Sequence, residues 1–245
     1  MVLWHLRRRP AYLVGTPSGV TLAPEGGAHQ SIKTPSIGLE QPGCTSYEPA
    51  FAIDVEWTLL AAMSQLGRSD GKSAYLRLST RPIDQKLAVI PQDPAARERR
   101  RCQVVAGGYM LSRADNPQAT IVTMGALTPN ALAAAHRLEL QGASVDVVCV
   151  TSPGLLFEAL QARRGQDDAS SWILGQTFPA DRAVPMVTVL DGHPHTLAFL
   201  SSINRVKSRN LGVTHFGQAG DVEDIYRSHG IDVDSIVRAT LDVLA

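Results

Sequence analysis

Two apolar runs separated by one helix-length segment place the tightest constraint on the fold of this chain. The runs lie at residues 119–124 and 144–150, and the segment between them begins with Thr128-Pro129 and ends with Gln141-Gly142. Proline suits the first turn of a helix and glycine suits its end, so this segment predicts a helix. A strand–helix–strand unit of this length implies parallel pairing through a right-handed crossover.

The same alternation continues towards the end of the chain. We predict a helix at 153–162, a loop at 166–183 held down by Trp172 and Phe178, a strand at 185–190, a helix from about Pro194 and a last helix capped by Asp232. Alternating strands and helices indicate a doubly wound α/β domain.

We expect three sections along the chain: residues 1–87, a linker at 88–101, and the α/β domain at 102–245. Prolines, a run of charged residues and the lack of an apolar period indicate the linker. The predicted elements of the first section are a strand at 11–14, a helix at 49–66 that turns Phe51, Val55, Leu59 and Met63 towards a sheet, and a strand at 73–78.

A glycine-rich loop follows the first predicted strand and carries the residues with the clearest chemistry. Glu25 and His29 flank Gly26-Gly27, whose flexibility allows a sharp turn and a close approach to a ligand. A histidine side chain donates, accepts or carries a proton near neutral pH, and a nearby carboxylate orients it. A glycine-rich turn with these two residue types is also common without any function, so spacing alone leaves both interpretations open.

Residues 16–32, TPSGVTLAPEGGAHQSI, resemble the substrate loop of the transketolase superfamily, most closely the homodimeric type of pyruvate dehydrogenase decarboxylating component. Residues 35–50, 74–82, 216–220 and 225–232 resemble other parts of that family in the same order. The resemblance implies that His29 faces the substrate in a pyrimidine-binding domain for thiamine diphosphate. Glu25 matches the acidic position before that histidine.

The family's remaining cofactor-binding residues are missing from the sequence. There is no Gly-Asp-Gly stretch of the kind with which the family holds the metal ion and the diphosphate, and Glu25 is the sole glutamate before His29. We therefore expect a partial thiamine-diphosphate pyrimidine-binding domain followed by a transketolase C-terminal-like α/β domain. Thiamine diphosphate and Mg²⁺ are implied by resemblance, with the metal and diphosphate site outside this chain and no metal site within it.

The function implied is the C-terminal portion of a thiamine-diphosphate-dependent pyruvate dehydrogenase. Such an enzyme decarboxylates a 2-oxo acid with the cofactor as electron sink and passes the acyl group to a lipoyl transferase component. The implied partners are a second copy in a homodimer or a complementary N-terminal chain. The alternatives are the corresponding portion of a transketolase or deoxyxylulose-phosphate synthase, and a non-catalytic fragment or interaction module.

Composition excludes few classes of protein. Twenty-three basic and 23 acidic residues give a formal net charge of zero, so we expect no nucleic-acid partner, and the basic runs at 7–9 and 97–101 are short enough to be solvated. No apolar run approaches about 18 residues, so we expect no membrane association. Cys44, Cys102 and Cys149 are widely spaced, which predicts reduced thiols in a cytoplasmic protein.

Other polar residues are weaker candidates for a site. Arg81 follows the strand at 73–78, where some members of the resembled family place a cation for the substrate. His193 and His195 follow a strand at an edge where ligands bind in open α/β sheets, and we favour a contact between domains over a metal site. We expect structural hydrogen bonds for His215 and His229, and no phosphate site at Gly107-Gly108.

Overall fold

The computed structural model describes residues 10–15 and 19–245. The basic run at 7–9 and Thr16, Pro17 and Ser18 of the resembled loop lie outside this described part. Two sheets organise the described residues, one of three strands and one of five. Within the described part, none of the helices is both long enough and apolar enough to cross a bilayer.

The first sheet is fully parallel. Its elements, with the helices between them, are β1 (Tyr12–Gly15), α1 (Ile37–Glu40), β2 (Cys44–Tyr47), α2 (Ala52–Met63) and β3 (Ser73–Arg77). The strand order is β1-β3-β2, so β3 is central and β1 is an edge. The side chains of β1 remain exposed by 42% at Tyr12, 52% at Leu13 and 56% at Val14. An apolar edge strand of this kind is typical of a surface that another polypeptide covers.

The predicted linker at 88–101 contains most of a helix, α3 (Pro94–Ala106). Asp93 caps it by accepting a hydrogen bond from the backbone N–H of Ala96 at 2.8 Å. The helix ends at Gly107, whose φ of +121° suits glycine. The sequence did not indicate this helix because α3 is mostly polar and shows no apolar repeat, although its start carries a capping aspartate followed by proline. The division of the chain at 88–101 stays a prediction.

The second sheet has the strand order β4-β6-β5-β7-β8, with β4 antiparallel to β6 and the other pairs parallel. The strands are β4 (Gly108–Ser112), β5 (Ala119–Met124), β6 (Val145–Val150), β7 (Met186–Val189) and β8 (Ser208–Leu211). The helices are α4 (Thr128–Leu140), α5 (Pro153–Arg163), α6 (Trp172–Thr177), α7 (His195–Ala198), α8 (Val222–Ser228) and α9 (Val233–Leu244). The predicted α/β fold and the parallel β5–α4–β6 unit are confirmed.

Two local predictions were wrong in part. The segment at 166–183 contains α6, and Trp172 at its start is 46% exposed while Phe178 is buried. Of the predicted apolar stripe on α2, Phe51 just before the helix is buried, whereas Met63 is 45% exposed. The residues of α2 that the structure buries are Asp54, Trp57, Thr58 and Ala62. Polar side chains take part in that buried face because each finds a hydrogen-bond partner.

The two sections of the chain share one hydrophobic core. Phe51 and Trp57 from the first section belong to the same cluster as Ile121 and Leu127 from the second. A polar contact lies within this shared core, where the Tyr109 hydroxyl on β4 donates to Asp54 Oδ2 on α2 at 2.8 Å. The two sheets are therefore packed together through apolar area and through buried hydrogen bonds, of which this is one.

This buried carboxyl makes stability depend on pH. Burial raises the pKa of Asp54, and the hydrogen bond from Tyr109 offsets part of that rise, which leaves the pKa at about 6. Between about pH 4 and 6 the carboxyl of Asp54 is therefore protonated in the folded state and ionised in the unfolded state. Because the folded state binds the extra proton, the free energy of unfolding falls as pH rises through that range, by up to about 3 kcal/mol.

We expect Asp54→Asn, which keeps an acceptor for Tyr109, to remove this part of the pH dependence. Urea unfolding at pH 4, 5, 6 and 7 measures it, with Asp242→Asn on the exposed side of α9 as the matched control. Parallel stability curves for wild type and Asp54→Asn would contradict the assignment.

Candidate active site

The glycine-rich loop folds as two short 3₁₀ turns, Val20–Glu25 and Gly27–His29. Gly26 between them has a φ of +103°, a conformation that residues with a Cβ rarely adopt. The backbone N–H of Gly26 donates to Ala23 O at 3.2 Å, and that of His29 donates to Gly26 O at 3.2 Å. These local bonds define the path of the loop and leave its polar side chains at the surface.

Glu25 and His29 are both exposed. Within residues 10–15 and 19–245, neither side chain has a hydrogen-bond or ion-pair partner, so the structure shows no contact through which Glu25 orients His29. Both side chains are accessible to a ligand from solvent. Their catalytic and substrate-binding roles stay predictions.

A buried aspartate at the end of β7 holds the beginning of this loop. Asp191 is 1% exposed. Its Oδ1 accepts from the backbone N–H of Val20 at 2.7 Å and its Oδ2 from that of Thr21 at 2.9 Å. The Thr21 hydroxyl also donates to Asp191 Oδ2 and lies 2.7 Å from the Tyr226 hydroxyl. Burial raises the pKa of Tyr226 to about 12, so this hydroxyl stays protonated and can donate to Thr21.

A buried ion pair lies beside Asp191. Arg77 at the end of β3 pairs with Glu48, which follows β2 directly, and both residues are buried. Arg77 also donates through Nη2 to the backbone carbonyl of Asp191 at 3.1 Å. Burial raises the pKa of Glu48, and Arg77 offsets part of that rise. Glu48, Arg77 and Asp191 thus form one charged cluster where the carboxyl ends of strands from both sheets meet.

Arg81 lies near this cluster, with its guanidinium engaged inside the chain. Its Nη1 donates to Ala126 O at 2.9 Å and to Asn130 Oδ1 at 2.7 Å, and its Nη2 lies 3.3 Å from Glu223 Oε1. The guanidinium also lies 5.2 Å from the centre of the Tyr226 ring. These contacts join the first section to α4 and α8, and the predicted role of Arg81 in substrate binding stays a prediction.

The histidine pair after β7 contacts the connector that follows the loop. His193 Nδ1 and His195 Nδ1 are 2.6 Å apart, His195 Nε2 is 3.7 Å from Glu40 Oε1, and the backbone N–H of His193 donates to Ile32 O at 3.2 Å. Across the part of the chain that the structure describes, no three metal-ligating side chains come together.

Two other histidines lie in the C-terminal segments. His215 Nδ1 lies 2.9 Å from Thr214 Oγ1. His229 is half-buried, and this burial lowers the pKa of its imidazole.

A cavity of 630 Å³ lies between α2, α3 and α5, and its lining includes neither Glu25 nor His29. Neither Glu48 nor Asp191 was predicted from the sequence to be a site residue. A signal for Asp191 was available, since a carboxylate directly after a buried parallel strand lies at the edge where α/β sheets bind ligands.

Residues 107–232 match the family described as transketolase-like TK C-terminal domain. This match covers just over half of the chain, and the chain belongs to that family. It resembles the 6-deoxy-6-sulfo-D-fructose transketolase subunit of Clostridium sp. (strain MSTE9), with 29% identity over 236 residues, 94% of this chain and 64% of that protein. It is also 22% identical to transketolase 1 of Vibrio vulnificus over 95% of this chain and 31% of that protein.

Solved structures show the same fold. The transketolase of Leishmania mexicana superposes with a TM-score of 0.70 at 20% identity, covering 94% of this chain and 30% of that one. A structure described as a split gene transketolase, inactive beta4 tetramer, superposes with a TM-score of 0.59 at 19% identity, covering 95% and 66%. The chain thus spans less than two thirds of the curated relatives named above. These findings support the transketolase superfamily and give no support to the pyruvate dehydrogenase specificity.

The ion pair between Glu48 and Arg77 provides a test of the cluster. We expect Arg77→Met to lower the free energy of unfolding by about 3–5 kcal/mol, because it leaves a buried carboxyl without its cation. The double variant Glu48→Gln/Arg77→Met removes both charges and should regain part of that loss. Urea unfolding of the two single variants and the double variant measures the coupling, and a loss below about 1 kcal/mol for Arg77→Met would contradict the assignment.

Proposed function

We propose that this chain is the C-terminal portion of a transketolase-type enzyme that transfers a ketol unit between sugars with thiamine diphosphate. The family match and the relatives named transketolase support the class of reaction. The chain corresponds to about 30% of whole transketolases and to 64% of a relative named as a subunit, which supports the need for a complementary N-terminal part.

One observation carries the proposed site: Glu25 and His29, two exposed polar side chains with no partner among the described residues, project from a loop whose start is held by buried hydrogen bonds. A sugar substrate offers hydroxyl and carbonyl oxygens to such groups. We propose that His29 hydrogen-bonds a substrate oxygen and holds or releases the proton of that oxygen. Glu25 supplies a carboxylate on the same surface. Arg81 is left out of this assignment because its donors are engaged within the chain.

The described residues fit only part of the cofactor site. Exposed Glu25 and His29 suit the substrate side, whereas no group of three metal-ligating residues exists in the described part. We therefore assign the metal ion and the diphosphate to the complementary part. When bound, thiamine diphosphate supplies a carbon nucleophile and an electron sink, and this chain supplies orientation and hydrogen bonding.

The exposed strand β1 supports a complementary polypeptide as the partner. Tyr12, Leu13 and Val14 present apolar side chains beside a strand edge that no other described strand pairs. We propose that the first part of the pyrimidine-binding domain covers this edge, with residues 1–87 as the second part and residues 102–245 as the C-terminal domain. The free cysteines support a cytoplasmic location.

The role of His29 is tested in the assembled enzyme. We expect His29→Ala to lower kcat with a ketose donor by roughly 10²–10⁴-fold, the range typical of lost acid–base or hydrogen-bonding catalysis. His136→Ala, at an exposed histidine on α4, is the matched control and should keep wild-type turnover. Wild-type turnover of His29→Ala would reject the site.

Substrate choice is tested with the same assembly. We expect turnover of a ketose phosphate or a sulfonated ketose together with an aldose acceptor, and no decarboxylation of pyruvate. Co-purification with the product of a neighbouring reading frame that contains a Gly-Asp-Gly stretch would supply the complementary part. A protein that binds neither this partner nor thiamine diphosphate would favour the non-catalytic alternative.

A further inference from the structure

We propose that Asp191 is a positioning residue, which sets the place of His29 by holding the start of the glycine-rich loop from within the C-terminal domain. The proposal rests on the proposed function for the role of His29. It goes further because it assigns a task to a residue far along the chain, inside the family-matched segment 107–232.

Both oxygens of the Asp191 carboxylate accept hydrogen bonds from the start of the glycine-rich loop. The donors are the backbone N–H groups of Val20 and Thr21 and the Thr21 hydroxyl. A Cβ added at Gly19 would lie 2.1 Å from Asp191 Oδ2, so a glycine there is what lets the backbone approach so closely. Hydrogen bonds to a buried charged acceptor are among the strong ones, which makes this a firm attachment.

The rest of the loop is also attached to the C-terminal domain, mostly through backbone groups. Gly220 N–H donates to Ala23 O at 3.1 Å, and His193 N–H donates to Ile32 O at 3.2 Å. A Cβ at Gly27 would lie 2.7 Å from Gly217 O, so the two backbones are in contact there. Side-chain links come from Asp191, from Tyr226 through the Thr21 hydroxyl, and from Gln30, whose Nε2 donates to Gln218 O at 3.3 Å. Of these, Asp191 is the buried one that holds backbone donors of the loop.

The position of Asp191 makes it sensitive to the packing of both sheets. It follows β7 of the second sheet, and its backbone carbonyl accepts from Arg77 at the end of β3 in the first. The loop start is therefore fixed relative to both sheets at once. Because a displacement of about 1 Å in a catalytic group can lower a rate roughly 100-fold, this attachment bears directly on catalysis.

Asp191→Asn tests the proposal with little change in volume. An amide has one acceptor oxygen where the carboxylate has two, so its NH₂ group would face a backbone donor of Val20 or Thr21. Asp146→Asn is the matched control, since Asp146 is also buried, pairs with Arg182 at 2.7 Å and lies on β6 of the same sheet without contact to the loop.

The first measurement needs no activity. We expect amide hydrogen exchange of the loop, residues 20–30, to rise roughly tenfold in Asp191→Asn while β5 remains protected, and to stay unchanged in Asp146→Asn. Unchanged exchange of the loop in Asp191→Asn overturns the proposal. If Asp191→Asn does not fold, Thr21→Val removes the hydroxyl link to Asp191 and Tyr226 and is judged by the same criterion.

The second measurement separates positioning from general stability. In the assembled enzyme, we expect Asp191→Asn to lower kcat per folded protein roughly 10- to 100-fold, and to have no further effect when His29 is already alanine. A further, multiplicative loss in the double variant overturns the proposal, because Asp191 would then act independently of His29. The proposal is also overturned if His29→Ala has a lowered kcat while Asp191→Asn keeps the wild-type kcat. If both variants keep full activity, the proposed function of His29 is rejected as well.

Discussion

Burial of three charged side chains at the junction of the two sheets is the constraint on which the rest of the structure depends. Glu48 and Arg77 come from the first sheet and Asp191 from the second, and each lies almost entirely out of water. An uncompensated buried charge costs several kcal/mol. Arg77 pairs with Glu48 within the first sheet and donates to the Asp191 backbone carbonyl in the second, so the contact of Arg77 with Asp191 forms only when the two sheets pack in this orientation. The shared hydrophobic core then reinforces the same arrangement.

A binding site needs exposed polar groups and a rigid framework, and here the glycine-rich loop provides the first and the C-terminal domain the second. Glycines allow the loop to turn sharply and leave Glu25 and His29 at the surface, but glycines add little rigidity. Rigidity comes from Asp191 and from backbone donors of the C-terminal domain, which are remote in sequence and close in space. Preorganised polar groups of this kind lose little free energy on ordering when a ligand arrives.

The fold was largely predictable from sequence because strand and helix periods, prolines and glycines act locally. The β5–α4–β6 unit follows from apolar runs and helix boundaries alone. Long-range satisfaction of polar groups was not predictable: the burial of Asp54 depends on Tyr109, and the role of Asp191 depends on Val20, some 170 positions away. The loop with Glu25 and His29 was found from its residues, whereas the residues that hold it carry no local signal beyond a carboxylate after a strand.

The open edge of β1 has a consequence for handling the protein. Backbone donors and acceptors along this strand lie beside the apolar side chains of Tyr12, Leu13 and Val14, so any chain able to extend a sheet can add there. When the chain is expressed without a polypeptide that covers this strand, copies of the chain can pair with one another along it and precipitate or form oligomers. Homogeneity of the isolated chain should therefore improve when this strand edge is covered.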